Sequence, residues 1–192
     1  MIFGLFSRRN NNGKILERQY EALTTAARQP RFYSAMGVPD TVMGRLEMIS
    51  LVMILFFRRT RFSGASGQEL AQEIIDAFFQ DIDHSIRELG VGDPSVPKRM
   101  KKLAGRYYGR LEAYAAALDA GDREALAAAL RRNIHPEVDN APSMTELADW
   151  AMLAERHLAT VSEDDVAAGR VTLPEAVAVA HEQADASKKE TD

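Results

Sequence analysis

Apolar residues recur along most of this chain at intervals of three and four, the spacing that lines one face of an α-helix. No stretch alternates apolar and polar residues long enough to argue for a strand. The pattern is clearest over 66–89, where Ile75, Phe78, Phe79, Ile82, Ile86 and Leu89 fall on a single stripe. A first helix is expected over 14–29, with Ile15, Leu16, Tyr20, Leu23 and Ala27 on one face and Pro30 stopping it. A second covers 41–62, with Asp40 as its N-cap. The helix at 66–89 is the third, closed by Gly90 as a left-handed C-cap. A fourth spans 95–118, with Ser95 as cap and Pro97 in its first turn. A shorter alanine-rich helix follows over 123–133. Ser143 opens another that reaches 160, with Glu146 placed to complete a capping box. Residues 162–173 read as short helix and loop, and Pro174 onward as a helical tail rich in charge.

These elements predict an all-α fold, a single irregular bundle of about six to eight helices. Residues 1–13 read as a flexible basic segment, 14–178 as the folded domain and 179–192 as a charged flexible tail. A chain of 192 residues suits one domain with a sizeable core. Two segments depart from the amphipathic norm. MISLVMILFF at 48–57 has Ser50 as its one polar member. It is too short for a membrane span, which needs roughly 20 apolar residues. It therefore reads as a helix buried all round, or as one partly exposed to an apolar partner. The start, MIFGLFSRRNNNGK, places basic residues after its apolar ones, the wrong order for a secretory signal. It reads as a weak interfacial anchor or as a frayed tail.

Composition narrows the chemistry. A formal net charge of −4 supplies no global basic field for nucleic acid, and DNA is not an expected partner. The chain has no cysteine, which removes disulfides, thiolate metal sites and a cysteine nucleophile. Its four histidines are scattered, and no serine elbow, phosphate loop or dinucleotide fingerprint occurs. Asp76, Asp81 and Asp83 crowd the third helix. They could hold a divalent ion or work as a carboxylate pair, or simply form an ion-paired face. On these grounds the protein is expected to be no enzyme, with no cofactor and no metal.

The strongest charge feature is KRMKKLAGRYYGR at 98–110, six basic residues and no acidic one. Lys98, Arg99, Lys101, Lys102, Arg106 and Arg110, with Tyr107 and Tyr108 beside them, could meet RNA phosphates, an anionic membrane surface or an acidic partner. They could equally be a solvated face. Gly105 and Gly109 cost helix stability, about 1 kcal/mol each against alanine, and suggest close packing on another backbone.

Two turns punctuate this pattern: Gly37, Pro39 and Asp40 before the second helix, and Gly90, Gly92 and Asp93 before the basic one. With them in place, ARQPRFYSAMGVPDTVMGRLE (27–47), DAFFQDIDHSIRELGVGDPSVPKRMKKL (76–103) and YYGRLEAYAAAL (107–118) resemble the ubiquinol–cytochrome c chaperone family. The stretch from Trp150 to Pro174 resembles the C-terminal extension of its bacterial members. The resemblance implies an assembly chaperone for the respiratory bc1 complex, working on the cytoplasmic side or on the inner face of the cytoplasmic membrane. Its implied partners are cytochrome b or an assembly intermediate, an anionic membrane surface, a small partner protein or the ribosome. Val52 stands where family members often have a histidine, so metal or haem handling through that helix is in doubt.

The expected partner-binding residues are Met48, Leu51, Met53, Phe56 and Phe57 of the apolar helix, with the basic and tyrosine residues just named on the fourth. A second reading is a carrier of a quinone-like small molecule, with Phe78, Phe79, Tyr107 and Tyr108 lining its pocket.

Overall fold

The computed structural model describes the backbone of residues 3–88 and 96–177, and the side chains of 12–84, 87 and 96–177. The predicted Gly90 cap, the Gly92–Asp93 turn, the Ser95 cap and the 179–192 tail lie outside the described residues. Eight helices and no strand occur among those described: α1 (Phe3–Ala27), α2 (Pro30–Ser34), α3 (Val42–Thr60), α4 (Ala65–Glu88), α5 (Val96–Ala120), α6 (Arg123–Ile134), α7 (Thr145–Ala159) and α8 (Glu163–Ala167). The all-α bundle follows the apolar spacing. The first helix starts at Phe3 rather than Lys14.

Helix α3 is the centre. Met48 and the six residues Leu51–Phe56 are all at most 1 % exposed, which decides for burial on every side rather than a partly exposed helix. Its cover comes from α1, α4 and α7, with α5 and α6 over part of its length. Fully burying one such side chain is worth about 1.5–3 kcal/mol. No helix among the described residues is long and apolar enough to cross a membrane.

The turn before α3 works differently from the expectation. Thr41, not Asp40, is the N-cap: its Oγ1 accepts from the Gly44 N–H at 3.1 Å. Asp40 accepts from Arg45 Nε at 2.8 Å. Gly37 adopts φ +76, and a Cβ there would also meet Pro142 at 2.9 Å. Its carbonyl accepts a 2.7 Å bond from His135 Nε2. A Cβ on Gly44 would lie 1.9 Å from the Pro39 carbonyl oxygen, so the turn and the helix meet backbone to backbone. Gly105 and Gly109, the positions expected to pack closely, face open space instead.

The start of α7 also departs from its signature. Met144 holds the cap position at φ 61, 2 % exposed and with no side-chain cap. Ser143 Oγ meets Thr145 Oγ1, and Glu146 faces Arg31 at 3.7 Å instead of closing a capping box. Burying Met144 has outweighed the capping hydrogen bond.

Residues 170–177 form no helix, so residues 174–177 depart from the helical tail expected from Pro174, whose remainder lies outside the described residues. Residues 169–176 run across α1, held by two glutamine amides. Gln19 donates to the Val171 carbonyl at 2.9 Å and accepts from its N–H at 2.8 Å. Gln29 does the same with the Pro174 carbonyl and the Ala176 N–H. Trp150 Nε1 also donates to the Pro174 carbonyl, and its ring meets Phe32 edge-on at 4.6 Å. Gly169, at φ +61, lets this segment touch Ile15.

Arg58 and Arg59 tie down the end of α3. Arg58 pairs with Asp119 at 2.7 Å and with Glu155 at 2.8 Å, joining α3 to α5 and α7. Arg59 pairs with Glu163 at 2.7 Å and donates to the Val161 carbonyl, joining α3 to α8.

Two outcomes follow from this frame. Gly44→Ala forces the Pro39 carbonyl aside and is expected to cost about 3 kcal/mol in urea unfolding. Glu163 is held below the usual carboxylate range, chiefly by the Arg59 hydrogen bond. Its stabilising share is present above the unfolded value of about 4.3 and is lost as pH falls through the lowered folded value. Glu163→Gln should therefore show a smaller fall in Tm than the parent between about pH 5 and about pH 3.

Candidate functional site

Four helices meet around a groove of about 850 Å3. Helices α3 and α4 supply its apolar floor, while α1 and α5 flank it. On α3 the floor is Val42, Met43, Leu46 and Ile49; on α4 it is Phe78 and Ile82, and Leu103 joins from α5. Val42 is 74 % exposed and Met43 47 %, so large apolar side chains stand in solvent at the mouth.

The rim is basic. Arg28, Arg45, Arg99, Lys102 and Arg106 line the groove against one carboxylate, Asp81. That carboxylate already accepts a 2.8 Å bond from Tyr20 on α1, and burial together with this bond pushes the Tyr20 hydroxyl well above its ordinary ionisation range. Arg45 is occupied by Asp40, whose carboxyl it holds below the usual range. Among the described residues Arg28, Arg99, Lys102 and Arg106 form no ion pair.

Arg99, Lys102 and Arg106 are spaced as one row along α5, and Arg110 continues that row inward. Arg110 is 9 % exposed and Glu47 6 %. One edge of the guanidinium makes a two-point pair, Nε donating to Glu47 Oε2 and Nη2 to Oε1. Burial pushes the Glu47 carboxyl up, and the donors and charge of Arg110, with the charge of Arg106, pull it back. This pair locks α5 onto α3 beneath the groove.

The structure divides the expected partner-binding residues. Met48, Leu51, Met53 and Phe56 are core residues and present nothing to a partner. Tyr107, 4 % exposed, packs on Phe78 and Phe79 with ring centroids 5.9 Å from each. Arg110 is consumed by Glu47. Phe57 and Tyr108 line a separate shallow cleft of about 370 Å3. Lys98 and Lys101 are exposed beside the groove without lining it. Arg99, Lys102 and Arg106 are the ones that reach it.

The expected quinone-binding ring set likewise splits, since Phe78 alone of its four members lines the groove. Asp76, Asp81 and Asp83 are engaged separately, by Gln72, Tyr20 and Arg87. Val42, Met43, Leu46, Ile49, Arg28 and Arg45 were missed from the sequence. Their signal was the stripe at 42, 46 and 49, which runs into the more conspicuous apolar segment.

Residues 34–173 match the ubiquinol-cytochrome C chaperone family. The chain belongs to that family. It is similar throughout to the crystal structure of the Cbp3 homolog from Brucella abortus, with 47 % identity and a TM-score of 0.84. The match covers 92 % of this chain and 98 % of that one. No curated protein gives a significant match. Membership makes assembly of the bc1 complex the setting in which the groove has to be read. Val52, where the resemblance places a histidine in other members, is fully buried in α3.

The Glu47–Arg110 pair has a structural role that mutation separates from binding. Glu47→Gln or Arg110→Met alone leaves a buried charge uncompensated and is expected to cost about 3–5 kcal/mol, whereas Glu47→Met with Arg110→Met should be close to neutral. Urea unfolding of the three variants measures this directly.

Proposed function

We propose that the protein is a non-enzymatic assembly chaperone that holds cytochrome b, or an early bc1 intermediate containing it, in the groove between α1 and α5 at the membrane surface. The observation that carries this is the combination of an open apolar floor with a basic rim. Newly made membrane segments are apolar and have no partner before assembly. A surface that covers them and later releases them needs no catalytic group. The exposed Val42 and Met43 extend the apolar floor of the groove into solvent, where a client's apolar segment would meet them. Cations near the mouth would favour an anionic membrane surface or acidic flanks of the client. Family membership supports the bc1 setting.

A quinone-like ligand is the second reading. The groove volume falls within the roughly 300–1,000 Å3 usual for small-molecule sites.

The test is complementation of a deletion strain, read by the reduced-minus-oxidised haem b signal and ubiquinol–cytochrome c reductase activity of its membranes. The intact gene is expected to restore both. Val42→Asp with Met43→Asp should lower restoration about fivefold, the effect of roughly 1 kcal/mol of lost binding. Lys98→Glu, off the groove, should restore fully. Normal haem b signal and activity in the deletion strain, with purified protein that binds a ubiquinone analogue, would replace the chaperone reading with the carrier one.

A further inference from the structure

We infer that the groove is built for an acidic amphipathic helix, its apolar face laid on α3 and its carboxylates set against the basic row of α5. This rests on the chaperone reading only in that a client would supply the helix. On α3, Val42, Leu46 and Ile49 stand at successive helical spacings over about 10 Å, two turns of helix. On α5, Arg99, Lys102 and Arg106 stand three and then four residues apart, also over about 10 Å. An apolar strip and a basic strip of similar length thus line the one groove, and the Glu47–Arg110 and Arg58–Asp119 pairs set the basic strip ahead of the apolar one along the bundle.

The complement of that surface is a segment with apolar anchors at i, i+4 and i+7 and carboxylates on an adjoining face. Helix-in-groove recognition is read through such anchors. A single phosphate headgroup would call for cations gathered on one point, whereas these are strung along two turns. Arg28 stands at the end of α1, on the flank away from α5, so charge lines both sides of the groove. Asp81, the one carboxylate lining the groove, is engaged by Tyr20. Among the described residues Arg28, Arg99, Lys102 and Arg106 form no ion pair, so their charge is open to a partner's carboxylates.

The experiment titrates the full chain into two fluorescent 18-residue peptides. Both carry leucine on one face; one has glutamate on the other, and its twin has glutamine at every glutamate. Fluorescence anisotropy is expected to show the glutamate peptide binding about tenfold tighter at low salt, the preference shrinking as salt rises. Arg99→Glu, Lys102→Glu and Arg106→Glu together should abolish that preference. These side chains are exposed, and unchanged circular dichroism confirms that the fold is kept. Val42→Asp should weaken both peptides.

Equal affinity for the two peptides, or a preference that survives the triple substitution, overturns the inference. So does displacement of the glutamate peptide by phosphatidylglycerol vesicles that the triple variant no longer binds, which would make a lipid surface the occupant. Loss of bc1 assembly in the triple variant alongside equal peptide affinities would sink this inference and leave the chaperone reading standing. A charge preference that behaves as expected, in a protein whose deletion leaves bc1 intact, would do the reverse.

Discussion

A helical stretch with no solvated face must be covered on every side, and the middle of α3 imposes that requirement on the whole bundle. Its residues from Leu51 to Phe56 have essentially no exposure, so five other helices are arranged by the need to enclose them. Both ends are anchored by polar contacts that an apolar helix cannot supply from its middle. At the start, Gly44 lies against the Pro39 carbonyl and Thr41 caps the first turn. At the end, Arg58 and Arg59 reach α5, α7 and α8. The groove exists where that enclosure stops, at the first two turns of α3.

Helix α5 serves both the core and the groove with one row of cations. Its outer members stand at the mouth, and Arg110, further along, is buried against Glu47. A buried pair of this kind is weak evidence for stability but strong evidence for register, because either charge left alone is costly. It sets where Arg99, Lys102 and Arg106 lie relative to Val42 and Leu46. The placing of the basic strip relative to the apolar strip is therefore a consequence of core packing.

The extended segment 169–176 holds the opposite flank. Gln19 and Gln29 each offer an amide that both donates and accepts, matching a backbone N–H and carbonyl as a neighbouring strand would. With Trp150 and Gly169 this fastens α1 to the C-terminal part of the domain. Since α1 forms one side of the groove, residues far along the chain help to set its width.

The sequence by itself determined the helices, because the apolar stripes of 66–89 and 95–118 leave no other regular way to bury them. It also carried the family, through punctuated segments held in order, and pointed to the basic run on α5. Tertiary structure alone decided which side chains meet solvent. The apolar run at 48–57 looked the most adhesive part of the chain, yet its strength as a hydrophobic segment is why the fold buries it. Val42 and Met43 looked ordinary, yet they are left open at the mouth of the groove between α1, α4 and α5. Cap choice was likewise tertiary: Thr41 displaced Asp40 and Met144 displaced Ser143, each where a close backbone approach or a buried side chain outweighed a local hydrogen bond. One basic stripe could be read from spacing, but its division into groove cations and a buried Arg110 depended on where Glu47 stood across the core.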